Sequence, residues 1–140
     1  MAVFLDSGFF FALITKKDPH HLVAVRLLRE CSTGIHGMVF TSNFILDESM
    51  TLVHVRIGSR PDLLEKMASF FIGSRKIANL IDISTTWLKD IVEMHVKLVR
   101  DGTDASFTDC SSIIACKMHS ITKIISFDGH FAGFLEQLKQ

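Results

Sequence analysis

The chain has 140 residues, 48% of them hydrophobic, and its 15 basic and 15 acidic side chains give a formal net charge of zero. That balance fits one folded domain over residues 1–140 and excludes a disordered chain or a strongly basic nucleic-acid binder. No apolar run reaches the roughly 18 residues of a membrane span, and three cysteines without a C-x-x-C pair fit reduced, packed thiols better than a disulfide frame or a zinc site.

Ala2 to Leu5 is a short apolar run ending at Asp6, and it reads as a buried strand. Ser7 and Gly8 open a helix to about Ile14. No basic residue precedes this stretch and no small-residue cleavage site follows it, so it is not read as a signal peptide, and a cytoplasmic protein is expected. Pro19 starts a second helix, which ends near Gly34. Met38 to Thr41 is a second strand. Ser42 or Asn43 caps the next helix, which carries Asp47 and Glu48 in its second turn. Adjacent helical residues point about 100° apart, so these two acids do not both face one pocket. Pro61 begins another helix, and Gly73 stops it.

Ile77 to Ile81 reads as a third strand and Thr122 to Ser126 as a fourth. Between them lie a helix capped by Ser84 and a second, mostly apolar helix opened by Ser106-Phe107-Thr108-Asp109. Gly129 to Leu138 reads as a last helix. Strands alternating with helices indicate an α/β domain with a mostly parallel sheet of four or five strands, covered on both faces. In such sheets the ligand site lies beyond the carboxyl ends of the strands.

Four acids fall at that edge. Asp6 follows the first strand, Glu48 lies early in the helix after the second, Asp109 opens the helix leading to the fourth, and Asp128 follows the fourth. Taken singly, Asp109 reads as half of a capping box with Ser106, and Asp128 as a helix cap. Taken together, they form a cluster of carboxylates that repel one another unless a hard divalent cation holds them. Such an ion polarises a phosphodiester and activates water. The histidines, His130 among them, show no zinc-ligand spacing, and no P-loop, G-x-S-x-G or G-x-G-x-x-G is present.

The chain resembles PIN-domain ribonucleases, and within them the VapC-type toxins of type II toxin–antitoxin pairs. The resemblance rests on Val3-Phe4-Leu5-Asp6-Ser7, Thr41 to Glu48, Ser106-Phe107-Thr108-Asp109-Cys110 and Ile124-Ile125-Ser126-Phe127-Asp128, in that order. It implies a PIN-like three-layer α/β/α sandwich. It implies Asp6, Glu48, Asp109 and Asp128 as catalytic, Mg²⁺- or Mn²⁺-binding acids, with Ser7 and Ser126 beside them orienting a carboxylate or a water. RNA as substrate, a homodimer and a cognate antitoxin are further implications. Many members finish with one more short strand; here Phe134 to Leu138 continues as helix, so that strand is expected to be missing.

The reading is thus a metal-dependent endoribonuclease. An inert PIN-fold RNA-binding or scaffold protein is the alternative. A phosphoacceptor receiver domain with Asp82 and Lys123 as its key residues fits less well, because Asp6 has no paired acid beside it.

Overall fold

The computed structural model describes residues 1–140. Five strands form one sheet: β1 (Ala2–Leu5), β2 (Met38–Ser42), β3 (Asn79–Ile81), β4 (Lys123–Ile125) and β5 (Glu136–Leu138). The strand order is β3-β2-β1-β4-β5, and every pair is parallel. Val3, Phe4 and Leu5 of β1 are fully buried, as expected of a strand with neighbours on both edges and helices on both faces.

The helices are α1 (Ser7–Ile14), α2 (His21–Thr33), α3 (Asn43–Arg56), α4 (Pro61–Ser69), α5 (Leu88–Arg100) and α6 (Phe107–Met118), with one 3-10 turn over Thr85–Trp87 ahead of α5. The chain runs outward from β1 through β2 to β3, then returns to the other side of β1 as β4. Right-handed crossovers therefore put α1 to α4 on one face and α5 and α6 on the other, giving the α/β/α layers. Packing agrees: α1 touches α2, α3 and α4, while α5 lies along α6. No helix is long and apolar enough to cross a membrane.

The reversal of strand order between β2 and β4, on either side of β1, makes the carboxyl end of β1 a topological switch point. A crevice opens there because neighbouring crossovers leave on opposite faces. Residue 6 and residues 126–128 are placed at its mouth by the β1–β4 register, Leu5 against Ile125. The backbone N–H of Asp6 donates to the carbonyl of Ile125 at 3.1 Å, extending the ladder by one residue.

Two glycines are required by the backbone. Gly37 has φ +77°, and a Cβ there would lie 2.0 Å from the carbonyl oxygen of Met1. That carbonyl accepts the N–H of Met38 at 3.1 Å, so the close approach starts the β1–β2 pairing. Gly133, at φ +87°, bears on a correction. The expected last helix over 129–138 does not form; bends and turns occupy 127–135 and the chain then enters β5, the strand expected to be missing. The left-handed Gly133 interrupts the helix. Phe131, fully buried, anchors the turn, and the N–H groups of Phe134 and Leu135 both donate to its carbonyl. The apolar spacing that suggested a helix comes from this anchor and from Leu138 packing against the core.

β5 also fastens the loop after β4. Gln137 Nε2 donates to the carbonyl of Ser126 at 3.0 Å and to that of Asp128. Replacing Gln137 with Leu removes two bonds to this loop. We expect a loss of about 1 kcal/mol per bond, read as a lower urea midpoint, and a several-fold fall in any activity that depends on Asp128.

Candidate active site

Asp6, Glu48, Asp109 and Asp128 all line one open cavity of about 400 Å³ at the switch point. Each is placed by the element that carries it. Asp6 is the N-cap position of α1 and its backbone is extended (φ −88°, ψ 163°), continuing β1. Its side chain makes no capping bond, so the carboxylate is left to the crevice. Ser42 caps α3 by accepting the N–H of Ile45 at 3.2 Å. This fixes the helix so that Glu48 faces the cavity while Asp47 is exposed. Asp82 also lies outside the site, exposed and accepting Asn43 Nδ2 at 3.0 Å.

Asp109 holds both roles that its sequence context suggested. Ser106 Oγ accepts the N–H of Asp109 at 3.0 Å, and Asp109 Oδ2 accepts the N–H of Ser106 at 3.0 Å, a complete capping box. Only Oδ2 is engaged there. The cap therefore aims the carboxylate rather than consuming it, and the residue is 5% exposed.

The serines act on the acids. Ser126 Oγ donates to Asp6 Oδ2 at 2.8 Å and accepts the N–H of Asp128 at 3.4 Å, linking the first and last acids. Ser7 Oγ donates to Glu48 Oε1. Asp6 Oδ1 is buried and has no hydrogen-bond partner. Burial, then the negative charge of Asp128, pushes the Asp6 carboxyl well above the ordinary 3.8; the Ser126 bond opposes this and Asp109 adds to it. Burial likewise raises Glu48 above 4.5, with the Ser7 bond opposing and Asp109 adding.

His130 completes the group, and the sequence reading passed it over. Its Nδ1 lies 2.7 Å from Asp109 Oδ2 and 3.6 Å from Asp128 Oδ1, and its Nε2 lies 2.9 Å from Asp104 Oδ1. A carboxylate facing each ring nitrogen favours the doubly protonated, cationic ring, in which both nitrogens donate. Burial opposes that charge, but the Asp109 bond and charge, then Asp128 and Asp104, outweigh it and hold the pKa above 6.5. The N–H of His130 donates to Asp128 Oδ1 at 2.9 Å. That turn, Asp128-Gly129-His130, was the available signal: a short acid–Gly–His unit just beyond a strand end.

The set fits a hard divalent cation. Asp6 offers a dehydrated, unpartnered oxygen, and the other donors are carboxylate oxygens. The Asp109 and Asp128 carboxylates and the His130 ring lie within 4.8 Å of one another; a protonated ring has no lone pair to offer, so the acids are the available donors.

The chain is similar along nearly its whole length to proteins of known activity. It is 29% identical over 132 residues to a VapC ribonuclease of Archaeoglobus fulgidus, covering 94% of this chain and 80% of that protein. It is 29% identical over 136 residues to the 23S rRNA-specific endonuclease VapC20 of Mycobacterium tuberculosis, covering 96% of each. The crystal structure of that VapC20, a sarcin–ricin loop cleaving toxin, superposes with a TM-score of 0.79 at 27% identity over 96% of this chain and 97% of that one. The chain has the PIN fold of the VapC ribonucleases. VapBC2 of Rickettsia felis, bound to a DNA fragment from its promoter, shares the fold at TM-score 0.67 and 16% identity, over 99% of this chain and 98% of that one. No protein-family model matches the chain.

The raised Asp6 carboxyl has a consequence for stability. Below 3.8 the group is neutral in folded and unfolded chains alike. Above it, the unfolded chain ionises freely while the folded chain resists, so stability is lost as pH rises toward the folded pKa. The expected result in chelator is that Asp6→Asn melts higher than the unaltered protein by a few degrees, about 2–5 °C, near pH 7. The gap should narrow as pH falls toward 4, and melting curves across that range would show it.

Proposed function

We propose that the chain is a divalent-metal-dependent endoribonuclease and the toxin of a toxin–antitoxin pair. The observation that carries this reading is the convergence of Asp6, Glu48, Asp109 and Asp128 on one cavity, with Asp6 Oδ1 buried and unpartnered. The similarity to VapC ribonucleases supports the reaction type.

Asp6 Oδ1 and Asp109 Oδ1 would hold the principal Mg²⁺ or Mn²⁺, because the second oxygen of each is occupied by Ser126, or by Ser106 and His130. Glu48 and Asp128 complete the site. Bound there, such an ion supplies charge stabilisation at the scissile phosphate and eases deprotonation of the attacking water. The remaining work is done by the chain. Ser7 holds Glu48 in one orientation, and Ser126 keeps Asp6 and the Asp128 loop in register. His130 offsets part of the acidic charge, so a phosphodiester is less strongly repelled. Residues 1–140 act as one PIN-like domain in this reading. A homodimer, a cognate antitoxin and a cytoplasmic location complete the proposal; the VapBC2 complex of Rickettsia felis supports the antitoxin.

The decisive assay is RNA cleavage with Mg²⁺ or Mn²⁺. Asp6→Asn and Asp109→Asn should each lower the rate by at least about a hundredfold, and chelator should abolish cleavage. Undiminished activity in both variants would sink the assignment. Ser126→Ala should fall between, about tenfold down or more, because it frees the carboxylate without removing it.

A further inference from the structure

The acidic cavity has to accept a polyanion. Five of its lining residues are acids: Asp6, Asp18, Glu48, Asp109 and Asp128. Arg56 is the one lysine or arginine among the lining residues. It is exposed, forms no ion pair, and its guanidinium lies 5.2 Å from the ring centroid of Phe11, over a residue of the same cavity. An arginine held on an aromatic face keeps its N–H fork free and its plane fixed. Glu48, Leu52 and Arg56 follow one another at i, i+4 and i+8 on α3, and all three line the cavity. Two turns at 1.5 Å per residue set Arg56 about 12 Å from Glu48 along the helix.

A second feature lines the same cavity. The His20 ring stacks on Phe127, centroids 4.3 Å apart and planes within 5°. Phe127 is partly buried and His20 is exposed, so the stack ends in a flat ring open to solvent. His20 is held rigidly for an exposed residue. Its N–H donates to Asp18 Oδ1 at 2.8 Å, Pro19 fixes the backbone before it, and its carbonyl accepts the N–H of Ala24 in α2. Phe127 lies between Ser126 and Asp128, so the platform is attached directly to the strand end that carries the acids.

On the ribonuclease reading, we infer that this cavity binds single-stranded RNA at two further points: one unpaired base stacks on the His20–Phe127 platform beside the scissile phosphate, and Arg56 grips a phosphate farther along the strand. The chemistry of both points is that of single-strand recognition. A base has a π-face that continues an aromatic stack whatever its identity, and a planar guanidinium pairs with phosphate oxygens in bidentate fashion. A duplex would not offer an unstacked base, so the cut falls in a loop, bulge or end. The acids then handle one phosphate while the flanking contacts supply affinity that the acidic walls do not.

The test is steady-state cleavage of an RNA hairpin by the intact Mn²⁺-loaded protein. His20→Ala should raise KM about fivefold or more, and His20→Phe should bring it back close to the unaltered value. A single abasic nucleotide, moved along the loop, should reproduce that loss at one position in the unaltered protein and add nothing at that position in His20→Ala. Arg56→Ala should raise KM and lower the slope of log KM against log salt by about 1. Both side chains are exposed, so folding is expected to survive and is checked by melting temperature. Unchanged KM in His20→Ala and Arg56→Ala, or no rescue by His20→Phe, with cleavage intact in the unaltered protein, overturns this inference alone. No cleavage by the unaltered protein overturns the ribonuclease reading and this inference with it.

Discussion

Asp6 Oδ1 is a carboxylate oxygen at the end of the central strand, buried and without a hydrogen-bond partner. Burying an ionised group in that way is unfavourable, and Asp109 and Asp128 close by make it more so. The surrounding structure is arranged around this one unfavourable placement. Ser126 supports the other oxygen, the capping box turns Asp109 toward the same space, and His130 sets its ring between Asp109 and Asp104, which favour its charged form. A fold that only needed stability would place Asn or Ser at position 6. An acid here, beside Asp109 and Asp128, gives a chain of zero net charge an uneven local field.

Topology makes that arrangement available. The strands change direction of progress at β1, and the two crossovers that leave its neighbours diverge to opposite faces. Asp6 and the Ser126–Asp128 segment then meet with no insertion or specialised loop. Asp109 in the first turn of α6 and Glu48 in the second turn of α3 are brought in by helices whose caps are ordinary Ser side chains.

The convergence of the four acids and the layered fold were legible because Asp6 and Asp128 lie just past strand ends and Asp109 and Glu48 lie within two turns of a helix cap, where sequence position and spatial position nearly coincide. Strand order was not, since it depends on pairing between residues far apart. β5 was misread because Phe131, Phe134, Leu135 and Leu138 repeat at a helical interval, although Gly133 sits among them in a left-handed conformation. Three residues from this tail then belong to the sheet edge, and Gln137 secures the Asp128 loop. His130 was judged by zinc-ligand spacing, a test that misses a histidine whose partners are carboxylates from two other segments. In the sequence Arg56 stands with Arg60, Arg75 and Lys76 as a basic residue able to touch phosphate, and His20 has no such signal; both read as solvated surface until Phe11 and Phe127 are seen beneath them.

The Ser126–Asp6 bond joins residues 120 positions apart. Closing a loop of that length has an entropic cost of about 4 kcal/mol from its length-dependent part alone, and the β1–β4 ladder beside it closes the same loop. No local segment can offer a compensating contact, so this part of the sheet is expected to form late and with the rest of the core. Asp6 and Asp109 therefore stay far apart in a half-folded chain. Such high contact order has a consequence for truncated or partly synthesised copies: without the segment that carries β4, the acids of the cavity are not brought together.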